Sequence, residues 1–204
     1  MLFRSELKNP PVLLYYKGDI HRLNQNPSIA IIGTREPSKY GVEIAKKYTE
    51  FFVNKGFNIV SGLAKGIDGI SHEMTVNSCG HAVAYLAQGL NTPIYPKENR
   101  ELSERILSNA GVLISEYAPD VKPSRNYFVE RDRLQSGSSD AVLVIETGLS
   151  GGSLHAANSA VELDRYLSVL NHPEKYKIGN EKSQGNEMLI KEKEIGRASC
   201  RETV

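Results

Sequence analysis

An α/β fold with a mostly parallel sheet and helices on both faces is predicted for this chain. Short runs rich in β-branched and other apolar residues recur along the sequence, and segments with helical spacing of apolar residues lie between them. Strands that alternate with helices of this length indicate βαβ units. Glycines also follow several of the apolar runs, at the points where a strand would turn into a helix. These observations predict the sheet before any single residue is considered.

Six strands are expected from the apolar runs. They are residues 28–32, 57–60, 82–86, 112–116, 141–146 and 166–170. The run at 141–146 is the strongest of these, and the run at 28–32 ends at Gly33, as a buried strand does before a turn.

Five helices are expected between and after these strands. They are residues 42–55, 67–77, 99–110, a short helix at 131–138, and 153–164. The first has an apolar stripe that includes Ile44, Tyr48 and Phe52. Residues 117–128 contain two prolines and are predicted to form a loop.

These elements predict one Rossmann-like domain over residues 28–170. Residues 1–27 form its lead-in, and residues 171–193 are polar, weakly patterned and expected to be peripheral. Residues 194–204 show neither helical periodicity nor strand alternation, and they resemble the translation of a sequencing adapter. We expect this tail to be non-native, the alternative being a natural disordered tail, and exclude it from the fold prediction.

Composition limits the class of protein. The 204 residues include 25 Lys and Arg against 24 Asp and Glu, so the net charge of +1 does not indicate a strongly basic nucleic-acid module. No apolar run approaches the roughly 20 residues that cross a bilayer, so no membrane partner is expected. Two cysteines, Cys79 and Cys200, fit a reducing cytoplasm. His72 and His81 have no partner at ligand spacing, so no metal site is predicted.

Three glycine-containing turns at the carboxyl ends of strands form the candidate site. In a parallel sheet, ligands bind at this edge, where backbone N–H groups and helix N-termini favour anions. The candidate binding residues in these turns are Gly33, Thr34, Arg35, Ser38, Ser61, Gly62, Lys65, Gly66, Asp68, Gly151, Gly152 and Ser153. Asp68 either binds a ribose hydroxyl or caps the following helix, and capping is the commoner role.

Two nucleotide-binding fingerprints are missing from these turns. Neither Gly-x-Gly-x-x-Gly nor Gly-Lys-Ser/Thr occurs, which argues against nucleotide oxidoreductases and NTPases, and no cofactor is expected.

Several ordered motifs resemble the DprA/Smf family of DNA-processing proteins. They are Ile-Ile-Gly-Thr-Arg at 31–35, Ser-Gly-Leu-Ala-Lys-Gly-Ile-Asp at 61–68, Ile-Tyr-Pro-Lys-Glu-Asn-Arg at 94–100, Leu-Ile-Ser-Glu-Tyr at 113–117 and Val-Ile-Glu at 144–146. The resemblance covers about residues 2–190. It implies an extended Rossmann fold that binds single-stranded DNA and passes it to a RecA-type recombinase during natural transformation. A homodimer is commonly implied, and no catalysis is.

The resemblance also places a segment with Arg131 and Arg133 among the candidate DNA-binding residues. With Arg35 and Lys65 they would form a basic groove, to which Lys39, Lys122 and Arg125 are possible additions. Tyr127 and Phe128 either stack on bases or pack in the core. The segment departs from the family pattern, because Asp132 replaces an amide and Glu130 stands where a base is common. The helical and winged-helix domains that often flank the family's fold are not expected here.

Two functions therefore remain open from sequence. The chain is either a minimal DprA-like binder of single-stranded DNA or a sensor or sponge for a small nucleotide, such as ADP-ribose or a cyclic nucleotide, in phage–host conflict. The matched motifs favour the first, whereas the near-zero net charge and the acidic substitutions favour the second. A phosphoribohydrolase is set aside, because the Pro-Gly-Gly-x-Gly-Thr loop that it needs is missing.

Overall fold

The computed structural model describes residue 7, residues 9–192 and the backbone of residues 196–198. Strands within these residues form one sheet: β1 (Tyr15–Gly18), β2 (Ser28–Ile32), β3 (Asn58–Ser61), β4 (Ala82–Tyr85), β5 (Val112–Ser115), β6 (Ala141–Val144), β7 (Tyr166–Leu170) and β8 (Gly196–Ala198). Their order is β1-β5-β4-β3-β2-β6-β7-β8, and every neighbouring pair is parallel except β1 with β5. The predicted mostly parallel α/β fold is confirmed.

Helices cover both faces of the sheet. They are α1 (Lys39–Asn54), α2 (Ile67–Asn77), α3 (Arg100–Ser108), α4 (Arg125–Gly137), α5 (Ser153–Glu162), α6 (Glu174–Lys177) and α7 (Gln184–Glu192). Strand residues alternate between the faces, so in β2 Ile29 and Ile31 face α1 and α2, whereas Ala30 and Ile32 face the side covered by α4, α5 and α7. On the first side α3 packs beside α2, over β4 and β5.

The strand order reverses between β2 and β6. From β2 the chain adds β3, β4 and β5 on one side, and it then crosses to the other side of β2 to form β6 and β7. The loops that follow β2 and β6 therefore leave the sheet in opposite directions and leave a crevice at its carboxyl edge. This switch point is the standard ligand position in an open α/β sheet.

The structure corrects the predicted start of one helix. Helix α4 begins at Arg125, inside the predicted loop 117–128 and six residues before the predicted start at residue 131. Its first two turns are mostly exposed and polar, so the sequence shows no apolar periodicity there. Pro123, just before the helix, also indicated a loop. This difference matters for the site, because the early turns of α4 form one of its walls.

The lead-in and the extension are also more integrated than predicted. Part of the lead-in forms the antiparallel edge strand β1, whose residues are largely exposed and which overlaps the apolar run at 12–16 only in its first two residues. In the extension, Asn186 is fully buried and its amide donates to Ile145 O (2.9 Å) and Leu170 O (3.0 Å) while accepting from Thr147 N (2.8 Å). A polar side chain buried with its hydrogen bonds satisfied is invisible to hydropathy, so the peripheral assignment of 171–193 is wrong for α7.

Strand β8 lies in the tail for which the sequence showed no strand alternation. Its backbone pairs in parallel with β7, with Val169 opposite Arg197. The non-native origin of residues 194–204 stays a prediction.

Candidate functional site

An open cleft of about 820 Å³ occupies the switch point between β2 and β6. We call it the switch-point cleft. Its walls are the loop after β2, the glycine-rich loop and N-terminus of α5 after β6, and one face of α4. Of the predicted site residues it is lined by Gly33, Thr34, Arg35, Asp68, Arg131, Gly151, Gly152 and Ser153. Because α5 begins at Ser153, the backbone N–H groups of its first turn lie at the cleft.

An aromatic surface with a cation above it forms part of the rim. The guanidinium carbon of exposed Arg35 lies 5.3 Å from the centroid of the Phe128 ring. Tyr95 also lines the cleft and packs against Phe128, with ring centroids 5.7 Å apart and an angle of 59° between the rings. Tyr95 is 51% exposed, so both a flat apolar face and a positive charge are open to a ligand.

Tyr127 and Phe128 have different surroundings although they are adjacent. Both are half-buried, and neither belongs to a core cluster of the described residues. Phe128 lines the cleft, whereas Tyr127 stacks on Tyr117 outside it, with ring centroids 4.1 Å apart. Of the two, only Phe128 is placed to contact a ligand in the cleft.

Arg131 forms the floor of the cleft and is almost completely buried. Its Nη1 donates to the carbonyl of Tyr85 (3.1 Å), and its Nε lies 3.4 Å from Asp132 Oδ1. A Cβ on Gly62 would stand 1.3 Å from Nη1, so only glycine at this position leaves room for the guanidinium. The second predicted turn therefore serves to seat Arg131 rather than to contact a ligand through Gly62 itself.

Asp68 holds the second turn in shape. Its carboxylate accepts hydrogen bonds from Gly62 N (3.1 Å) and Ala64 N (3.4 Å), and the side chain is buried. Burial raises the pKa of Asp68, while Arg131 opposes that rise. The carboxylate thus binds the turn before α2 and also lines the cleft. The structure shows this turn-binding role and does not show a helix cap.

Asp132 lies in the cleft beside Arg131. Its Oδ1 accepts a hydrogen bond from Gln135 Nε2 (2.9 Å), and only 13% of the side chain is exposed. Burial raises the pKa of Asp132 to about 7 although Arg131 lowers it, and the nearby Asp68 adds to the rise. The Asp132 side chain therefore carries only part of a negative charge near neutral pH, which weakens its opposition to an anionic ligand.

Six predicted site residues lie outside the cleft. They are Ser38, Ser61, Gly62, Lys65, Gly66 and Arg133. The hydroxyl of Ser38 accepts from Gly41 N (3.0 Å) as the N-cap of α1 and donates to Glu146 Oε1 (2.5 Å), whereas the hydroxyl of buried Ser61 donates to Ile31 O (2.7 Å). Both hydroxyls therefore form hydrogen bonds within the fold. The backbone groups at helix starts and strand ends need hydrogen-bond partners, as a phosphate ligand does.

Lys65 and Arg133, the two cations that lie outside the cleft, each form an ion pair with a carboxylate. Arg133 makes a two-pronged ion pair with Glu116 through Nη1 (2.9 Å) and Nη2 (2.7 Å). Lys65 pairs with Glu98 at 2.7 Å on the surface next to the cleft. Gly66, which follows Lys65, has a φ of +74°, and a Cβ at this position would clash with Thr34 O, so the turn requires glycine here.

Sequence reasoning missed three cleft residues of functional interest. Tyr95 lay inside a matched motif without being singled out, and Gln135 is a buried neutral residue that fixes Asp132. Lys182 comes from the extension that was assigned to the periphery, and its ammonium lies 4.0 Å from Glu36 on the cleft rim. Nothing in a polar segment without periodicity indicates that it returns to the site.

Other expectations concern metals, membranes and histidines. Within residues 7 and 9–192, no group of three or more His, Cys, Asp or Glu side chains is arranged to hold a metal ion. No helix in the same part of the chain is long and apolar enough to span a bilayer. His72 is fully buried, and burial lowers its pKa to about 4. His81 bonds to Asn58 Oδ1 (2.8 Å) and lies away from the cleft.

The known proteins with similar sequences are Smf and DprA proteins. The chain is 38% identical to Protein Smf of Escherichia coli over 182 residues, which is 89% of this chain and 47% of that protein. It is 38% identical to the DNA processing protein DprA of Bacillus subtilis over 161 residues, covering 79% and 54% of the two chains. The chain thus spans about half the length of these relatives.

Two DprA proteins of known structure superpose well on this chain. DNA processing protein A from Streptococcus pneumoniae superposes with a TM-score of 0.86 and 32% identity, covering 96% of this chain and 66% of that one. The Helicobacter pylori protein, whose structure was determined to explain its single-stranded DNA binding mode, gives 0.85 and 29%, covering 96% and 86%. A molybdenum cofactor binding protein from Rippkaea orientalis, at 15% identity and a TM-score of 0.52, shares the fold alone.

The model of the family described as DNA recombination-mediator protein A matches residues 2–202. That match covers nearly the whole chain, and the resemblance seen in the motifs is confirmed by it. The sequence, the mostly parallel sheet and the switch-point cleft lead to the same conclusion: the chain belongs to the DNA recombination-mediator protein A family, also known as DprA or Smf.

Proposed function

We propose that this protein binds single-stranded DNA in the switch-point cleft and acts in DNA processing during recombination. The observation that carries the proposal is the pair formed by Arg35 and Phe128 at the open rim. Bases stack on aromatic rings and on the arginine groups that lie over them, and the Arg35 guanidinium over the Phe128 ring also neutralises an adjoining phosphate. Family membership and the single-stranded DNA binding mode of the Helicobacter pylori relative support the same ligand.

The charges that line the cleft suit an anionic strand. The lining includes the cations Arg35, Arg125, Arg131 and Lys182 and the carboxylates Asp68 and Asp132. Arg131 is buried at the floor, whereas Arg35 and Arg125 are exposed and can reach phosphates along the rim. Because burial raises the pKa of Asp132 to about 7, this carboxyl is only partly ionised near neutral pH, and the cleft is more positive than the count of groups suggests.

The remaining parts of the proposal follow from the family. The protein would bind the strand without catalysis, as a homodimer in the cytoplasm, and pass it to a RecA-type recombinase. Light scattering of the purified chain tests the dimer, and cosedimentation of recombinase with strand-bound protein tests the transfer. A monomer at all concentrations would contradict the first, and failure to recruit recombinase would contradict the second.

A titration separates the strand from a small nucleotide. Fluorescence anisotropy with an oligothymidylate, at about 50 mM and about 200 mM salt, should show binding that weakens steeply with salt as counterions are released. The Arg35→Gln variant should bind about tenfold more weakly, since it loses a phosphate contact beside the stacking face. Lys47→Gln, on the exposed side of α1, is the matched control and should bind like the original protein.

Competition with ADP-ribose and cyclic nucleotides completes the experiment. If single-stranded DNA is the ligand, these compounds should displace the strand only weakly. Micromolar binding of one nucleotide, lost in Arg35→Gln, together with no strand binding at low salt, would establish the nucleotide sensor instead.

A further inference from the structure

A second groove, of about 550 Å³, lies beside the switch-point cleft. We call it the side groove. Its floor is apolar and includes Pro93, Ile94 and Pro96, in the loop between β4 and α3. The mechanism proposed for the cleft makes no use of it.

The side groove and the cleft are continuous. Tyr95 and Pro123 line both cavities, so they form the ridge between them. The exposed Tyr95 ring stands against Phe128, and an aromatic surface therefore runs from the cleft over the ridge. A flexible ligand that leaves the cleft over this ridge enters the side groove directly.

Positive charge surrounds the apolar floor. The groove is lined by four cations, Lys65, Lys97, Arg100 and Lys122, and by one carboxylate, Glu98. Glu98 is taken up by Lys65 at 2.7 Å, and both side chains are about half exposed. Within the described residues, Lys97 and Lys122 are exposed and no ion pair forms with either. An apolar floor with unneutralised cations along its edge is the arrangement that tracks a nucleic-acid strand, because bases need a surface and phosphates need charge.

The loop that carries the floor is held in place by buried side chains. Gln88 Oε1 accepts from Tyr95 N (2.9 Å), and its Nε2 donates to Thr92 Oγ1 (2.6 Å) and Pro93 O (2.9 Å). Asn99 Nδ2 donates to Leu63 O and Ala64 O, both at 2.9 Å, and so ties the end of this loop to the turn that bears Lys65. A groove already ordered in this way loses little entropy when a ligand binds.

We propose that the side groove binds the continuation of the single strand held in the switch-point cleft. Bases would rest on the floor between Ile94 and Pro96, and phosphates would contact Lys97 and Lys122. This inference rests on the proposed function, since it needs a strand in the cleft. It predicts that the binding site is longer than the cleft and that the added length depends on cations that the cleft does not contain.

The test compares oligothymidylates of about four and about sixteen nucleotides, which bracket the usual site sizes of single-strand binders. The original chain should bind the long strand more tightly. The double variant Lys97→Gln/Lys122→Gln should lose about tenfold in affinity for the long strand and leave the short strand unaffected. For the long strand, the slope of log affinity against log salt should fall by about 1.4, since each lost phosphate contact removes about 0.7.

Lys46→Gln/Lys47→Gln removes the same charge from the exposed side of α1 and is the control. Equal weakening of both strand lengths by the side-groove variant, or the same loss in the control, would show a general effect of charge and overturn the proposal. Equal affinity of the original chain for both lengths would also overturn it, while leaving the cleft as a site. If neither length binds and Arg35→Gln changes nothing, the proposed function fails and the extension with it.

Discussion

Arg131 and Asp132 are adjacent in sequence and together set the charge at the floor of the cleft. The guanidinium of Arg131 is held by the Tyr85 carbonyl and fits the space that Gly62 leaves. Asp132 lies beside it with a pKa raised to about 7 by burial. The floor therefore changes charge in the range where proteins usually work.

Strand affinity should consequently fall as pH rises from about 6 to about 8. Asp132 is protonated below its pKa of about 7 and becomes an anion above it, facing Arg131, Arg35 and Asp68. An added negative charge within this cluster repels phosphates. In Asp132→Asn, affinity at pH about 8 should rise severalfold, and the dependence on pH should flatten in an anisotropy titration.

His155→Gln is the control for that experiment, because His155 also lines the cleft. If the His155 variant alone abolishes the pH dependence and Asp132→Asn keeps it, Asp132 is not the titrating group.

Phe128 and Tyr127 form a natural matched pair for testing base stacking. Phe128→Leu removes the aromatic face beneath Arg35, so strand affinity should fall by about 1–3 kcal/mol, the usual value for one stacked base. Tyr127→Leu removes a ring of similar size that stacks on Tyr117 outside the cleft. Equilibrium titration of both variants should show a loss for the first and little change for the second. Equal losses would mean that the ring at 128 acts only through packing of α4.

At the scale of elements, the turns at the carboxyl edge were predictable and the partners of their side chains were not. Glycine after apolar runs located the loops after β2 and β6, and both line the cleft. Ser38, Ser61 and Arg133 have the residue types of a phosphate site, yet each is bound inside the fold. Residue type and spacing do not reveal such competition, because it depends on contacts between residues distant in sequence.

In the C-terminal extension, the sequence failed to indicate residues that do belong to the site. Its polar sequence suggested a peripheral segment, but it supplies Lys182 to the cleft and the buried Asn186 to the ends of β6 and β7. Long-range hydrogen bonds from an asparagine leave no periodic pattern. Only the folded chain shows that the segment binds the carboxyl ends of β6 and β7.

Asn186→Ala should destabilise the protein by about 2–3 kcal/mol. The change leaves Thr147 N, Ile145 O and Leu170 O without their partner, and buried backbone groups that lose a hydrogen bond carry a desolvation penalty of this order. Denaturant unfolding measures the effect, with exposed Lys191→Ala on the same helix as the control. A loss no larger than in the control would mean that α7 contributes little to the stability of the sheet edge.

For the whole molecule, the net charge of +1 conceals an uneven distribution of charge. Cations gather around the switch-point cleft and the side groove, while several carboxylates are taken up by ion pairs or hydrogen bonds near them. A near-neutral chain can therefore present a locally basic path. Overall composition does not indicate a basic DNA-binding module, and the location of the charges required the structure.

Amide hydrogen exchange would show whether a single strand occupies the switch-point cleft. On addition of an oligothymidylate, we expect slower exchange in residues 33–36, 123–129 and 148–153, which contribute to the walls of the cleft. Exchange in the middle of α1, residues 42–54, should stay the same. Protection confined to segments outside the cleft, with the loops after β2 and β6 unchanged by a bound strand, would contradict the account.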